Sequence, residues 1–396
     1  MLRKVLYIDL TRQESWVEER QELFESWMGG TGVGIRLLQE GCPPGTDPLS
    51  PEAPIILSIG PLNGVFPVAT KTAATFKSPL TGNLGESYAG GRLSLALRFA
   101  GHEAVVIKGR AERPSYISIN DQEVRIKDAT SIWGVDAQTT GIILRDREPG
   151  VGRRSIIRIG PAGEAGVRFA CVMVDTYRHF GRLGLGAVFG SKNLKALAVS
   201  GTEHVDVPDI KRYKEVYNRL YKTAVQTEVM EKYHDIGTSV NISVLNWLRG
   251  LPTKNFLLSS FPEGEKISGE VFAEKHLIRR FSCAGCPIGC VHIAALKTAF
   301  SEHHEFEVRR VSYDYEPIYS LGSNLGVKTA EGILQLIDAC ERLGLDVMSA
   351  GVVLSWATEA LEKGLITEKE TMGVPLLWDE VEGYAKALNL MVRAPN

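Results

Sequence analysis

Short apolar runs of four to six residues, bounded by turn signals, dominate the first half of the chain. Val5–Leu10, Ile55–Ile59, Ala104–Ile107, Tyr116–Ile119 and Ser155–Ile159 read as β-strands. Cys-Pro-Pro-Gly at 42–45 and Gly-Pro-Ala-Gly at 160–163 supply turns between them. Leu23–Gln39 and Gly90–Ala100 read as helices. From about Pro208 the apolar spacing becomes helical, over Asp209–Lys232, Ser239–Leu248 and Val271–Arg280. Further on, Thr329 caps a helix whose Ile333, Leu336, Ile337, Cys340 and Leu343 share one face. Gly344 ends that helix, and another runs from about Ser349 to Gly364. The pattern predicts an α+β chain: a large β-rich domain over 1–205 and a mostly α-helical part over 206–396, with no internal repeat.

Composition narrows the function. The 396 residues have room for two or three domains, and 44% apolar with 23% charged residues is ordinary globular usage. With 45 basic against 47 acidic residues, no basic surplus points to nucleic acid. No apolar run reaches the length of a membrane span, and the opening apolar stretch is cut at Asp9, too soon for a signal peptide. Six cysteines are too few for a disulfide scaffold, and three lie within eight residues, which suggests a metal and a reducing, cytoplasmic location.

Those three carry the sharpest chemical signal. Cys283-x2-Cys286-x3-Cys290 can aim three thiolates at one centre only if the backbone folds tightly, which Gly285, Pro287 and Gly289 permit. Structural zinc more typically uses two separated pairs or cysteine with histidine, whereas crowded thiolates with a distant fourth suit an iron–sulfur cubane. Zinc and unliganded thiols are the alternatives. His292 is near enough to ligate but reads better as a core or solvated histidine. Cys340 and Cys171 read as small hydrophobes and Cys42 as a turn residue, each a weak candidate for a fourth ligand.

Of the 40 glycines, 26 fall in residues 1–201, marking turns or close approach to a ligand. Gly29–Gly34 is a poor dinucleotide fingerprint, lacking a strand before it and a suitable acid after it. Two other segments are better matched to a phosphate-bearing ligand: Lys77–Gly82 with Gly90-Gly91, and Gly181–Lys195, both mixing glycines with cations or hydroxyls. Ordinary turns are the competing reading of either alone. Tyr315-Glu316-Pro sets a carboxylate at a proline-bearing turn, and Glu341-Arg-Leu-Gly344-Leu345-Asp346 places Asp346 between two helices, where a helix cap is the plain interpretation.

Taken in order, these pieces resemble the aldehyde ferredoxin oxidoreductases, over nearly the whole chain. The matching stretches are the first strand with Gly29-Gly30, Lys77–Gly82, Ile159–Glu164, Gly181-Arg182 through Lys195, the three cysteines, Tyr315-Glu316 and the Gly344-Leu-Asp346 loop. The resemblance implies a β-rich base that carries a tungsten (or molybdenum) bis-pterin, tungstopterin, beside a [4Fe–4S] cluster, under two helical domains. It implies that Cys283, Cys286 and Cys290 ligate the cluster and that Arg182, Leu183 and Gly184 lie along one pterin and its phosphate. Tyr88 to Gly91, including Gly90, would lie near phosphates bridged by magnesium, with Lys71 where the family commonly has arginine. Glu341, Gly344, Leu345 and Asp346 match a pterin loop, and Glu316 matches the glutamate near the tungsten.

The implied chemistry is oxidation of a small aldehyde to a carboxylic acid. Electrons would leave through the cluster to ferredoxin or a similar acceptor, and Glu316 would handle a proton with its pKa raised in an apolar pocket. Tyr88 and Glu341 depart from the family's Asn and Asp, and Lys71 loses the planar fork of arginine. No cysteine follows Cys340, so this chain alone does not supply the fourth cluster ligand in the family's manner, and family members are considerably longer. The chain therefore reads as a fragment, a split subunit or a degenerate copy, with a second chain expected to complete the last domain and a homodimer common in the family. A non-catalytic cofactor-holding subunit and a reductase of activated aromatic acids are the alternative functions.

Overall fold

A computed structural model describes residues 3–299 and 305–394. The first half holds two six-stranded sheets. One comprises β1 (Lys4–Asp9), β2 (Glu14–Glu19), β3 (Ile55–Ile59), β4 (Thr72–Lys77), β5 (Leu84–Ala89) and β6 (Ala104–Lys108), in the order β2-β1-β6-β3-β4-β5. The other comprises β7 (Ser115–Asn120), β8 (Glu123–Asp128), β9 (Ser155–Arg158), β10 (Val172–Val174), β11 (Arg178–Phe180) and β12 (Leu194–Ser200), in the order β8-β7-β12-β9-β10-β11.

The two orders are the same with six added to every strand. In each sheet the first and sixth strands pair in parallel and the other neighbours run antiparallel. The helix Leu93–Phe99 enters β6 as the helix Leu185–Ser191 enters β12. The front half is one module built twice, which corrects the expectation of no internal repeat. The repeat escapes the eye because buried strands accept any apolar residue of suitable volume, so topology persists where letters do not.

Burial explains the layering. Leu6, Ile8, Leu57, Val105 and Ile107 of the first sheet share an apolar cluster with Ile117, Ile157, Val172, Leu197 and Val199 of the second, joined by Leu97 and Phe189 of the two entering helices. The outer face of the first sheet packs on Leu23, Val33 and Leu37, and that of the second on Leu144 and Ile132. β3, Ile-Ile-Leu-Ser-Ile, is buried along its length, as a strand covered on both faces must be.

Three expected helices change. Leu23–Gln39 is two helices, Gln21–Trp27 and Gly30–Gly41, because Met28 and Gly29 take φ of 60° and 136° between them. Asp209–Lys232 is also two, Ile210–Val225 and Glu228–Asp235, the second capped by Thr227. Val271–Arg280 keeps a helix only over Gly269–Lys275, and its end becomes β13 (Leu277–Phe281). With β14 (Val291–Ala299) and β15 (Phe306–Tyr313) it forms an antiparallel sheet inside the part expected to be mostly helical. Thr329 and Gly344 end the helix Ala330–Leu343 as the sequence requires, Gly344 in the left-handed region. Asp346 then caps Val347–Glu362.

The halves meet along a glycine seam. The Cys171 amide donates to Gly344 O (2.8 Å), the Asp346 amide donates to Phe169 O (3.0 Å), and Ala170 pairs with Leu345 as an antiparallel bridge. A Cβ on Gly160 would collide with the Leu343 carbonyl, and one on Gly344 would lie 2.7 Å from the Gly160 amide nitrogen. Neither backbone can retreat, since both end elements of buried cores. Gly160→Ala is therefore expected to destabilise the chain by about 1–3 kcal/mol, measured as a lower urea midpoint. An unchanged midpoint would show that the seam can open without cost.

Candidate functional site

The cysteine loop joins β13 to β14. Gly285 and Gly289 have φ of 78° and 69°, so the loop turns through the left-handed region at both glycines. It is fastened to the front half: the Ala284 amide donates to Gly91 O (3.0 Å) and the Val68 amide donates to Gly285 O (3.2 Å). A Cβ on Gly90 would lie 2.5 Å from Cys283 Sγ, so only glycine lets that thiol seat. Gly91 is held in turn by Asp175, whose Oδ2 accepts from the Arg92 amide (2.8 Å). Burial raises the Cys286 thiol pKa. The Ile288 amide opposes this, Cys283 and Cys290 add to it, and Lys71 is the nearby cation that lowers it. Among the described residues no three His, Cys, Asp or Glu side chains close on a single ion. Cys283 and Cys286 are half-buried in this loop and Cys290 is exposed.

His292 is buried and its Nε2 lies 3.0 Å from His234 O and 3.2 Å from Asp235 O, so it serves the core as read. Cys171 and Cys340 are buried, where desolvation raises both thiols far from thiolate character.

The two glycine segments meet. Ser78 Oγ donates to Leu183 O (2.8 Å), and Gly184 sits where a Cβ would strike Arg168 O and Pro79. Leu183 and Gly184 both take positive φ (70° and 83°), turning this backbone into the helix Leu185–Ser191. From there Arg182 Nε reaches Asp346 Oδ2 at 3.0 Å, linking this turn to the loop after Gly344. The cations of the segment are spent elsewhere: Lys195 is buried against Glu164, and Lys192 donates to Pro51 O (3.0 Å). Neither faces a ligand. Tyr88 is half exposed, its hydroxyl on Thr31 (2.7 Å) and Glu86.

Acidic groups gather beneath this surface. Glu341 is buried, accepts from Gln138 Nε2 (3.3 Å), and is pushed up to about 8, chiefly by burial and then by Asp338. Asp346 is raised too, by burial, against the pull of Ser349 and Arg182. Glu316 stands in the first turn of the helix Tyr315–Leu321 and is exposed, which corrects the expectation of an apolar, desolvated pocket around it. The buried acid is its neighbour Asp314, pushed up to about 6 by burial and by Glu316, with Arg178 opposing.

Sequence reading passed over Asp314, Arg178 and Asp175. The run Tyr313-Asp-Tyr-Glu316 was the available signal for the first, two acids at the end of an apolar strand. Nothing local marks the other two, which act across strands. Arg178 lies beside Gly90, its Cδ 3.6 Å from where a Cβ would be, and its Nε has no protein partner. His179 Nε2 and Asp314 Oδ1 are likewise buried without one. Buried polar atoms left unpaired by protein next to a thiol loop and two glycine turns fit a polar, phosphate-bearing cofactor.

Comparisons with known proteins give the class. The chain matches the family model described as aldehyde ferredoxin oxidoreductase, N-terminal domain, over residues 5–201, and that for domains 2 and 3 over 213–395. It belongs to the aldehyde ferredoxin oxidoreductase family, a family of oxidoreductases. It is 37% identical over 386 residues to the tungsten-containing aldehyde ferredoxin oxidoreductase of Pyrococcus furiosus, covering 96% of this chain and 62% of that protein. The Thermococcus kodakarensis enzyme of the same name is also 37% identical, over 387 residues, with the same shares. The aliphatic sulfonate oxidoreductase WOR-like subunit of Pyrococcus furiosus is 30% identical over 412 residues, 98% of this chain and 64% of that protein. The chain thus spans less than two thirds of the length of these relatives. The active-site complex BamBC of benzoyl coenzyme A reductase, solved with 1,5-dienoyl-CoA, shares the fold with a TM-score of 0.84 at 24% identity, covering 99% of this chain and 60% of that one. No helix among the described residues is long and apolar enough to cross a membrane.

The buried acids predict a pH dependence. Folded, Glu341 keeps its proton to about pH 8, whereas an unfolded glutamate loses it near ~4.3. Between these values the folded state binds the extra proton, so stability falls as pH rises through the window. Glu341→Gln is expected to flatten that fall in urea midpoints taken from about pH 5 to about pH 8, with Asp346 supplying the remaining slope. Equal slopes in both proteins would mean that Glu341 is ionised when folded.

Proposed function

We propose that the chain is the cofactor-bearing part of an oxidoreductase that converts an aldehyde to a carboxylic acid and passes electrons through a [4Fe–4S] cluster to ferredoxin or a similar acceptor. The supporting observation is the junction of three segments on one surface: the cysteine loop locked to Gly90-Gly91, the Arg182–Gly184 turn, and the Asp346 loop joined to it through Arg182. On this reading Cys283, Cys286 and Cys290 hold the cluster. Arg182, Leu183 and Gly184 with Glu341, Gly344, Leu345 and Asp346 hold one pterin, and Gly90 and Gly91 lie by its phosphates and their magnesium. When bound, the tungsten- or molybdenum-bearing pterin supplies a two-electron acceptor and the cluster a one-electron outlet.

The chain's own part is positioning and proton handling. Lys71, near Cys286, stabilises negative charge at the loop, and Arg178, whose Nε has no protein partner, offers a donor beside Gly90. An aldehyde that takes up a water oxygen releases two electrons and two protons on becoming an acid. Glu316 accepts a proton at its carboxylate, and Asp314, half protonated at about pH 6, lies within its field to share it. Because Glu316 is exposed here, water must be excluded by something laid over it.

A second reading, a cofactor-holding subunit completed by another segment or chain, is favoured by Trp356, 58% exposed beside exposed Val352 and Val353 on the helix that follows Asp346. Metal analysis of anaerobically purified protein separates the two. The catalytic reading expects about four iron atoms and about one tungsten or molybdenum per chain. Iron alone favours the holding role, and zinc in place of iron removes both. Cys283→Ser is expected to lower the iron content. Glu316→Gln is expected to keep the metals while losing about 10²–10⁴-fold in dye-linked aldehyde turnover; unchanged turnover would take Glu316 out of the mechanism.

A further inference from the structure

Three arginines from separate elements converge next to the cysteine loop without carboxylate partners. Tyr177 stacks on Phe281, ring centroids 5.6 Å apart, and Phe281 precedes Cys283 by two residues. The Arg279 guanidinium lies 4.4 Å from the Phe281 ring centroid. On β14, Ile293 and Ala295 are two residues apart and so on one face; Arg279 of β13 pairs with the first and Arg310 of β15 with the second. Arg145, in the last turn of the helix Ala137–Arg147, donates to Thr176 Oγ1 (3.1 Å), adjoining Tyr177. Burial raises the tyrosine's pKa; Arg310 opposes it, buried Glu341 adds to it, and Arg145 and Arg279 are further cations close enough to oppose it. All three arginines are exposed, and none has an ion pair among the described residues. In a chain of net charge −2, three unpaired guanidiniums around an aromatic pair are a concentrated positive surface.

We propose that Arg145, Arg279 and Arg310, around the Tyr177–Phe281 stack, form the docking surface of an acidic electron-carrier protein. The inference rests on the cluster reading above and adds the place where the partner sits. Charge complementarity selects an acidic protein, and the surface abuts the loop whose Cys290 is exposed, so a carrier seated there lies beside the electron outlet. Arginine is suited to this contact, because its planar fork meets carboxylates two oxygens at a time.

The test is titration calorimetry of the full chain, purified without oxygen, with an acidic two-cluster ferredoxin. Arg279→Glu with Arg310→Glu is expected to weaken binding by at least about tenfold, and the paired Gln variants by an intermediate factor. Salt should weaken binding of the wild type far more than of the reversed variant. Arg125→Glu, on the opposite edge strand β8 of the second sheet, should bind as wild type. Equal affinity in wild type and the double reversal, or an equal loss with Arg125→Glu, overturns the proposal. So does inorganic pyrophosphate that binds the wild type and not the double reversal while ferredoxin binds both, which would assign the arginines to a phosphate-bearing ligand. Metal content and dye-linked turnover are measured separately, so a failed docking surface is distinguishable from a failed cofactor assignment.

Discussion

The joining of the Arg182–Gly184 turn to the Asp346 loop depends on how closely two backbones approach at Gly160 and Gly344. A side chain on Gly160 would meet the Leu343 carbonyl, and one on Gly344 would meet the Gly160 main chain. With hydrogens there, Leu345 can pair with Ala170, and Asp346 comes within 3.0 Å of Arg182. That close approach joins the loop between two helices of the second half to a helix start in the first. Without it, the two segments that the family resemblance assigns to a pterin would be independent turns.

The duplicated front half explains why the glycines lie where they do. In each copy the fifth strand ends in a glycine turn that feeds a helix packed between the sheets: Gly90-Gly91 before Leu93–Phe99, and Gly181 to Gly184 before Leu185–Ser191. The first turn receives Cys283, and the second reaches Asp346 through Arg182. One structural device, used twice, thus presents backbone to two different pieces of the second half. Buried acids complete the arrangement, since Glu341, Asp346 and Asp314 are all taken out of water and all pushed towards their neutral forms.

Particular residues show how far the sequence could be read. Strands β1, β3, β6, β7 and β9 were legible because apolar runs between turns leave few alternatives. Thr329, Gly344 and Asp346 were legible because capping is a local matter of side-chain oxygens and a left-handed backbone. β13 was not: Leu-Ile-Arg-Arg-Phe continues a helical spacing, and it is strand only because β14 lies alongside to pair with it. The environment of Glu316 was misjudged for the same kind of reason, as burial is set by what covers a residue and not by its neighbours in the chain.

The sequence by itself determined the three-thiol loop, the glycine turns, the helix caps and the ordered set of motifs that carry the family resemblance, because each depends on residue type within a few positions. Only the tertiary structure decided that the front half is one module twice, that Lys192 and Lys195 are core cations and not ligand contacts, that Asp314 is the buried acid beside Glu316, and that Arg145, Arg279 and Arg310 come together around Tyr177. These are relations between residues far apart in the chain, and they exist only once burial and strand pairing have brought distant segments into contact.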